Sequence, residues 1–176
     1  MLGWFKRIWK MFQMDRVESQ RWQAQKQRIA QLSVEQAREE ALQVLRDERV
    51  FRLVPSSGPR DAQILAQLPA DVQELAVQYD RIELAGTEDP LRGADGLDFS
   101  RITPAELREG YWRIGQLAPD TDIYTEVGVR PGEEGVYELC SELEKVERFS
   151  SVYHWILEQY SLEQVQREVE EEFGER

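Results

Sequence analysis

Apolar residues open this chain at helical spacing. Phe5, Ile8, Trp9 and Phe12 fall on one stripe, with Trp4 and Met11 at its edge, so residues 4–14 read as an amphipathic helix. Residues 15–30 remain compatible with a helix but are polar, with Val17, Trp22 and Ile29 as their large apolar groups, and read as a solvated, projecting stalk. Ser33-Val-Glu-Gln36 forms a capping box, which starts a helix carrying Val34, Ala37, Ala41, Val44 and Leu45 on one face. Residues 50–55 alternate as a short strand and close on the SSGP turn at 56–59. Ile64, Leu65 and Leu68 suggest a short helix. Leu68-Pro69 then leads into a second one whose stripe is Val72, Leu75, Ala76 and Tyr79, with the proline near the first turn, where its missing donor is harmless.

Residues 81–84 read as a strand, and the turn-rich loop 85–96 leads to Leu97-Asp-Phe-Ser-Arg-Ile102. Thr103-Pro104-Ala-Glu106 combines a cap, an early proline and a reaching carboxylate, and predicts a short helix to about Tyr111. The clearest β region follows, with Ile123, Thr125, Val127 and Val129 on one face, the RPGEEG turn, and the returning strand 136–140. Val152, Trp155, Ile156 and Tyr160 define a helix across 150–160. A further box at Ser161-Leu-Glu-Gln164 predicts a separate C-terminal helix with Leu162, Val165, Val169 and Phe173. Helices, a strand-rich middle and helices again predict an α+β fold: one domain over 33–176 with a central mixed or antiparallel sheet, and a helical extension over 1–32.

Charge sharpens this division. Residues 1–30 hold seven Lys/Arg against Asp15 and Glu18, a local charge of +5, which leaves −17 for residues 31–176 of a chain that totals −12. So acidic a body lacks the dense cations that phosphate contacts require, which argues against a nucleic-acid partner. It suits a basic protein partner, or serves solubility. Cys140 is the single cysteine, so no disulfide forms within the chain, as expected in a reducing cytosol. Charges interrupt each apolar run, so the opening stretch reads neither as a signal peptide nor as a bilayer span, and the protein is expected to be soluble or to rest on a membrane.

No pattern reads as catalytic, and neither a cofactor nor a metal is expected. The single histidine, His154, flanks a buried helix stripe without a second ligand at metal spacing. Cys140 ends a strand, far in sequence from that histidine, and a Cys–His nucleophile pair would depend on the fold bringing them together. Asp95 with Asp98 and Asp120 with Asp122 are loop carboxylates without the oxygen-ligand rhythm of a calcium loop. Glu170-Glu171-Glu172 reads as a solvated helix end, and the glycines form no phosphate-binding pattern.

Over roughly residues 60–160 the chain resembles the SUKH superfamily, which includes a yeast cell-wall-synthesis regulator family and many bacterial immunity proteins against polymorphic toxins. The resemblance rests on the order of Leu68-Pro69 at a helix start, Ile114-Gly115 opening a central strand, Val136-Tyr137 near a strand end, and Ser151…Trp155…Leu157 in a closing helix. Tyr79-Asp80-Arg81 stands where the family often has an asparagine–glycine turn. The resemblance implies an α+β fold without catalysis and a protein partner, a toxin domain with a basic groove that the acidic body would meet.

The opening helix has three candidate occupants for its stripe: the protein's own core or a second copy in a homodimer, an anionic membrane surface, or a groove on another protein. Its candidate docking residues are Trp4, Phe5, Lys6, Arg7, Ile8, Trp9, Lys10 and Phe12. Burying each large apolar side chain is worth roughly 1.5–3 kcal/mol in lipid or protein alike. Ordering the backbone costs about 1–2 kcal/mol per residue. The basic residues discriminate, at about 1 kcal/mol each near an anionic leaflet. The combined expectation is a cytoplasmic, non-catalytic binding protein of immunity type. The alternative is a peripheral adaptor at the inner face of a membrane.

Overall fold

The computed structural model describes residues 2–86, 95–117, 124–141 and 146–174, with the backbone alone for residues 2–12. The chain is an α+β single domain in which, among the described residues, five helices accompany one eight-stranded antiparallel sheet. Helices α1 (Leu2–Ala30) and α2 (Val34–Val44) precede strand β1 (Phe51–Pro55). Helices α3 (Ala62–Leu65) and α4 (Ala70–Gln78) follow. The strands are then β2 (Tyr79–Leu84), β3 (Gly96–Asp98), β4 (Thr103–Pro104), β5 (Trp112–Leu117), β6 (Thr125–Val129), β7 (Val136–Cys140) and β8 (Val146–Phe149), and α5 (Val152–Gly174) ends the described chain. The sheet runs in the order β1-β2-β3-β5-β6-β7-β8, with β4 on the same strand, β5, that receives β3. Neighbours in sequence are neighbours in space, as short antiparallel connections favour.

Cross-strand register separates the two faces. Phe51, Ile82, Leu84, Leu97, Val127, Val129, Val136 and Phe149 are buried, and with Val72, Leu75, Trp155 and Ile156 of the helices they form one core. Ile114 joins them at 0% exposure, beside the register shift in β5. Gly115 follows because the strands meet too closely there for a side chain: a Cβ would lie 2.2 Å from the Gly96 carbonyl oxygen.

Polar bonds tie the helices to this frame. Asp71 of α4 accepts the Val152 N–H at the start of α5 at 2.6 Å, and burial raises its pKa. Glu74 accepts from the Tyr153 hydroxyl at 2.6 Å and pairs with Arg38 of α2. The Trp155 indole donates to Glu138 of β7 at 2.7 Å. The capping box at Ser33 forms as expected, with both of its hydrogen bonds present.

Three local expectations are corrected by the tertiary structure. The predicted stalk is part of the domain: α1 lies along α5, and Ile29 is fully buried in the core. Met14, Val17, Glu18, Arg21, Trp22, Gln25 and Lys26, spaced by three or four, are its half-buried face. The final helix is not divided at Ser161. Helix α5 runs unbroken because no glycine or proline interrupts residues 152–173 and because α1 and α2 pack along it, so Ser161 sits buried in mid-helix. The helix predicted from Thr103 does not form. Thr103 and Pro104 instead pair with Arg113 and Trp112, and the Ala105 N–H closes a loop onto the Tyr111 carbonyl. A nine-residue segment with one large apolar residue in its interior, Leu107, cannot outcompete a sheet edge on capping signals alone.

Candidate functional site

The misread segment builds the most distinctive surface of the molecule. Residues 105–111 cross the sheet face opposite the helices as a strap over β6. Its near end is held by Glu126, fully buried, whose carboxylate accepts the backbone N–H groups of Glu106 at 3.1 Å and Leu107 at 2.8 Å. Arg113 lies 3.4 Å from the same carboxylate and 3.5 Å from that of Glu106. Its far end rests on Gly128, two residues along the same strand, where a Cβ would stand 3.7 Å from that of Tyr111 and 3.3 Å from the Trp112 carbonyl oxygen. A side chain at Gly128 would therefore touch Tyr111 at ordinary contact distance and press on the Trp112 carbonyl of β5.

Aromatic and charged groups gather at that far end. Tyr111 meets Tyr137 edge-on, with ring centroids 5.2 Å apart. The Tyr137 hydroxyl donates to Glu133 at 3.0 Å, and burial followed by that carboxylate raises its pKa. The Arg130 guanidinium stands 5.9 Å from the Tyr111 ring, and Arg148 donates to the Glu134 carbonyl at 3.0 Å. Tyr124 adjoins the near end, its phenol pushed up by burial and then by Glu126 and Glu106. Glu106, Arg108 and Glu109 point to solvent from the strap. The patch thus presents the half-buried Tyr111 and Tyr124, the first backed by buried Tyr137, with carboxylates that have internal partners, so little conformational freedom remains to be lost on binding.

A second polar cluster locks α1 in place. Lys26 pairs with Glu147 of β8 at 2.5 Å and with Glu158 of α5 at 3.4 Å. Burial lifts the Glu158 pKa to about 7, with Lys26 opposing the rise and Glu147 and Glu138 adding to it. Burial also raises Glu138, although the Trp155 indole opposes it. One ammonium therefore faces an excess of carboxylates between a helix and the sheet.

The residues singled out in the sequence are scattered over this framework. Trp4, Phe5, Lys6, Arg7, Ile8, Trp9, Lys10 and Phe12 lie on the opening turns of α1, but their side chains fall outside the described residues. Leu68 is buried and Pro69 caps α4. Val136, Ile114 and Trp155 belong to the helix-side core, whereas Tyr137 occupies the strapped face. His154 is buried rather than flanking its stripe: its Nδ1 lies 2.6 Å from the Ser151 hydroxyl and its Nε2 3.1 Å from the Leu32 carbonyl, so both ring nitrogens are engaged away from Cys140. Asp98 accepts from the Ser100 N–H and hydroxyl in a local turn. Asp120 and Asp122 fall outside the described residues.

Glu126 and Tyr124 carry no distinguishing signal in the sequence, and Glu106 and Tyr111 read there as the start and end of a short helix. In TEVGV, Glu126 occupies the alternating outward position of a strand, where a charge ordinarily means solvent. Only the Gly128 that follows hints at something lying across that face. Comparison with protein-family models, with curated proteins and with solved structures gives no match to this chain.

Proposed function

We propose that this protein is a non-catalytic binding module of SUKH type that occludes a toxin domain, with the strapped sheet face as its contact surface. The observation that carries this reading is the joining of half-buried Tyr111 and Tyr124, with Tyr137 buried behind Tyr111, to Glu106 and Glu133 in one pre-ordered patch. Tyrosine anchors dominate protein interfaces, and fixed carboxylates on an acidic body favour a basic partner such as a nuclease domain. The test is co-expression with basic nuclease toxin domains, beginning with any encoded next to this chain. Growth is rescued, a stoichiometric complex co-purifies, and Tyr111→Ala and Glu109→Lys each weaken it about tenfold or more. The absence of a complex, or protection indifferent to both substitutions, overturns the reading.

A second reading, membrane attachment through the opening helix, is favoured by one feature of α1. It continues for 19 residues on the N-terminal side of Arg21, which pairs with Glu168 and Glu172, whereas α5 is described for two residues beyond Glu172. The aromatic stripe thus lies on turns with no stretch of α5 beside them among the described residues. None of the described helices is long and apolar enough to cross a membrane, so attachment would be interfacial. Flotation of the full chain with anionic but not neutral liposomes, abolished by Trp4→Asp with Trp9→Asp, supports this reading. Failure to float removes it.

A further inference from the structure

Strand β1 is an edge of the sheet, and its outward backbone groups can be assigned from register. The Ala85 N–H donates to the Val50 carbonyl and the Leu84 N–H to Asp95, so Val50, Arg52 and Val54 bond inward to β2. The backbone N–H and C=O groups of Phe51 and Leu53 therefore point away from β2. The Phe51 N–H is taken by the Asp47 carbonyl. Among the described residues, the Phe51 C=O and the N–H and C=O of Leu53 have no main-chain partner. Pro55, lacking an N–H, limits the available edge to a few residues.

A cleft of about 610 Å³ opens beside this edge, floored by Leu45, Phe51, Leu53 and Ala85 and rimmed by Arg46, Glu48 and Arg52. That volume accepts a large apolar side chain together with part of its backbone. Arg49 is paired with Asp47 and Arg52 with Glu83, while Arg46 is exposed and has no ion-pair partner among the described residues. On a strongly acidic body Arg46 is a local positive charge, with Glu48 as its neighbour on the rim, beside a strand edge that is unpaired among the described residues.

We infer that β1 captures an extended segment of a partner protein by strand addition, with one apolar side chain in the cleft and an acidic residue against Arg46. Main-chain bonds to Leu53 supply the pairing, and the cleft and Arg46 select alternate side chains. This edge is distinct from the strapped face, and the inference stands whether or not that face meets a toxin.

The test is selection of random twelve-residue peptides on the full-length protein, followed by binding of the selected peptides in solution. Sequences alternating apolar and acidic residues emerge, and the Leu53 amide exchanges more slowly in the complex. Leu53→Pro removes the outward N–H without touching the β2 ladder, and Arg46→Glu reverses the rim charge; each weakens binding about tenfold or more. Peptides N-methylated at alternate amides bind in one parity and fail in the other, a readout that leaves the protein's own folding untouched. Selected peptides that ignore Arg46→Glu and N-methylation overturn the inference. So does a solution dimer in which the Leu53 amide is already protected, because the edge then belongs to a second copy.

Discussion

The Leu107 backbone N–H donates to the carboxylate of Glu126 at 2.8 Å, and that carboxylate has no exposure to solvent. A buried anion is tolerable here because the Glu106 N–H and Arg113 converge on it as well. The bond joins residues 19 positions apart and converts a segment with helix signals into the strap. It places Glu106, Tyr111 and Tyr124 around one face.

Glu126→Ala leaves two backbone donors without their acceptor and Arg113 with Glu106 alone. Stability is expected to fall by about 2–3 kcal/mol in urea denaturation. Hydrogen exchange should accelerate at Glu106 and Leu107 more than in α5. Equal protection at those two amides would show that Glu126 does not hold the strap.

Glu158 gives stability a measurable pH dependence. Its folded pKa of about 7 lies above the ordinary value of 4.5, so the native state holds this proton more tightly than the unfolded chain. The resulting contribution is complete below about pH 4.5 and is lost as pH rises through 7. Compared with Glu158→Gln, the wild-type chain should lose relative stability across that window and level off above it. A pH-independent difference between the two melting curves would place the carboxylate in a solvated setting.

Gly115→Ala tests the approach of β5 to β3. With 2.2 Å between the added Cβ and the Gly96 carbonyl oxygen, backbone must move, at a cost of roughly 1–3 kcal/mol. A lower thermal midpoint is expected. An unchanged midpoint would mean that the strands separate freely at this point.

Ile29→Ala probes the docking of α1. Ile29 is fully buried in the core, so its truncation should cost about 2–5 kcal/mol. Proteolysis at Arg21, Lys26 and Arg28 should become faster. Unchanged cleavage and stability would return residues 15–30 to the status of a free stalk. For the same reason membrane tests belong on the full chain, since removing residues 1–30 strips the cover from Val44, Leu157 and Val165.

The amino-acid sequence by itself determined the class of fold and the elements whose signals are local. Ser33 and Gln36 cap α2 through bonds three residues apart, Val72, Leu75 and Ala76 bury one stripe of α4, and alternation in Thr125, Val127 and Val129 marks β6. These features need only neighbours along the chain, so periodicity and caps reveal them. Tertiary structure decided the rest. The capping signals at Thr103 and Ser161 are as good on paper as that at Ser33, but Thr103 meets β5 and Ser161 meets α1 and α2. The polar face of residues 15–30 reads as solvated until Lys26 finds Glu147, 121 positions away, and Arg21 finds Glu172, 151 positions away. Strands β3 and β8 are too short to announce themselves and exist because a neighbour offers its edge. Glu126 looks like any outward strand carboxylate until the strap folds over it. Bonds between distant residues leave no period in the sequence, and in this protein they shape the surfaces proposed for binding.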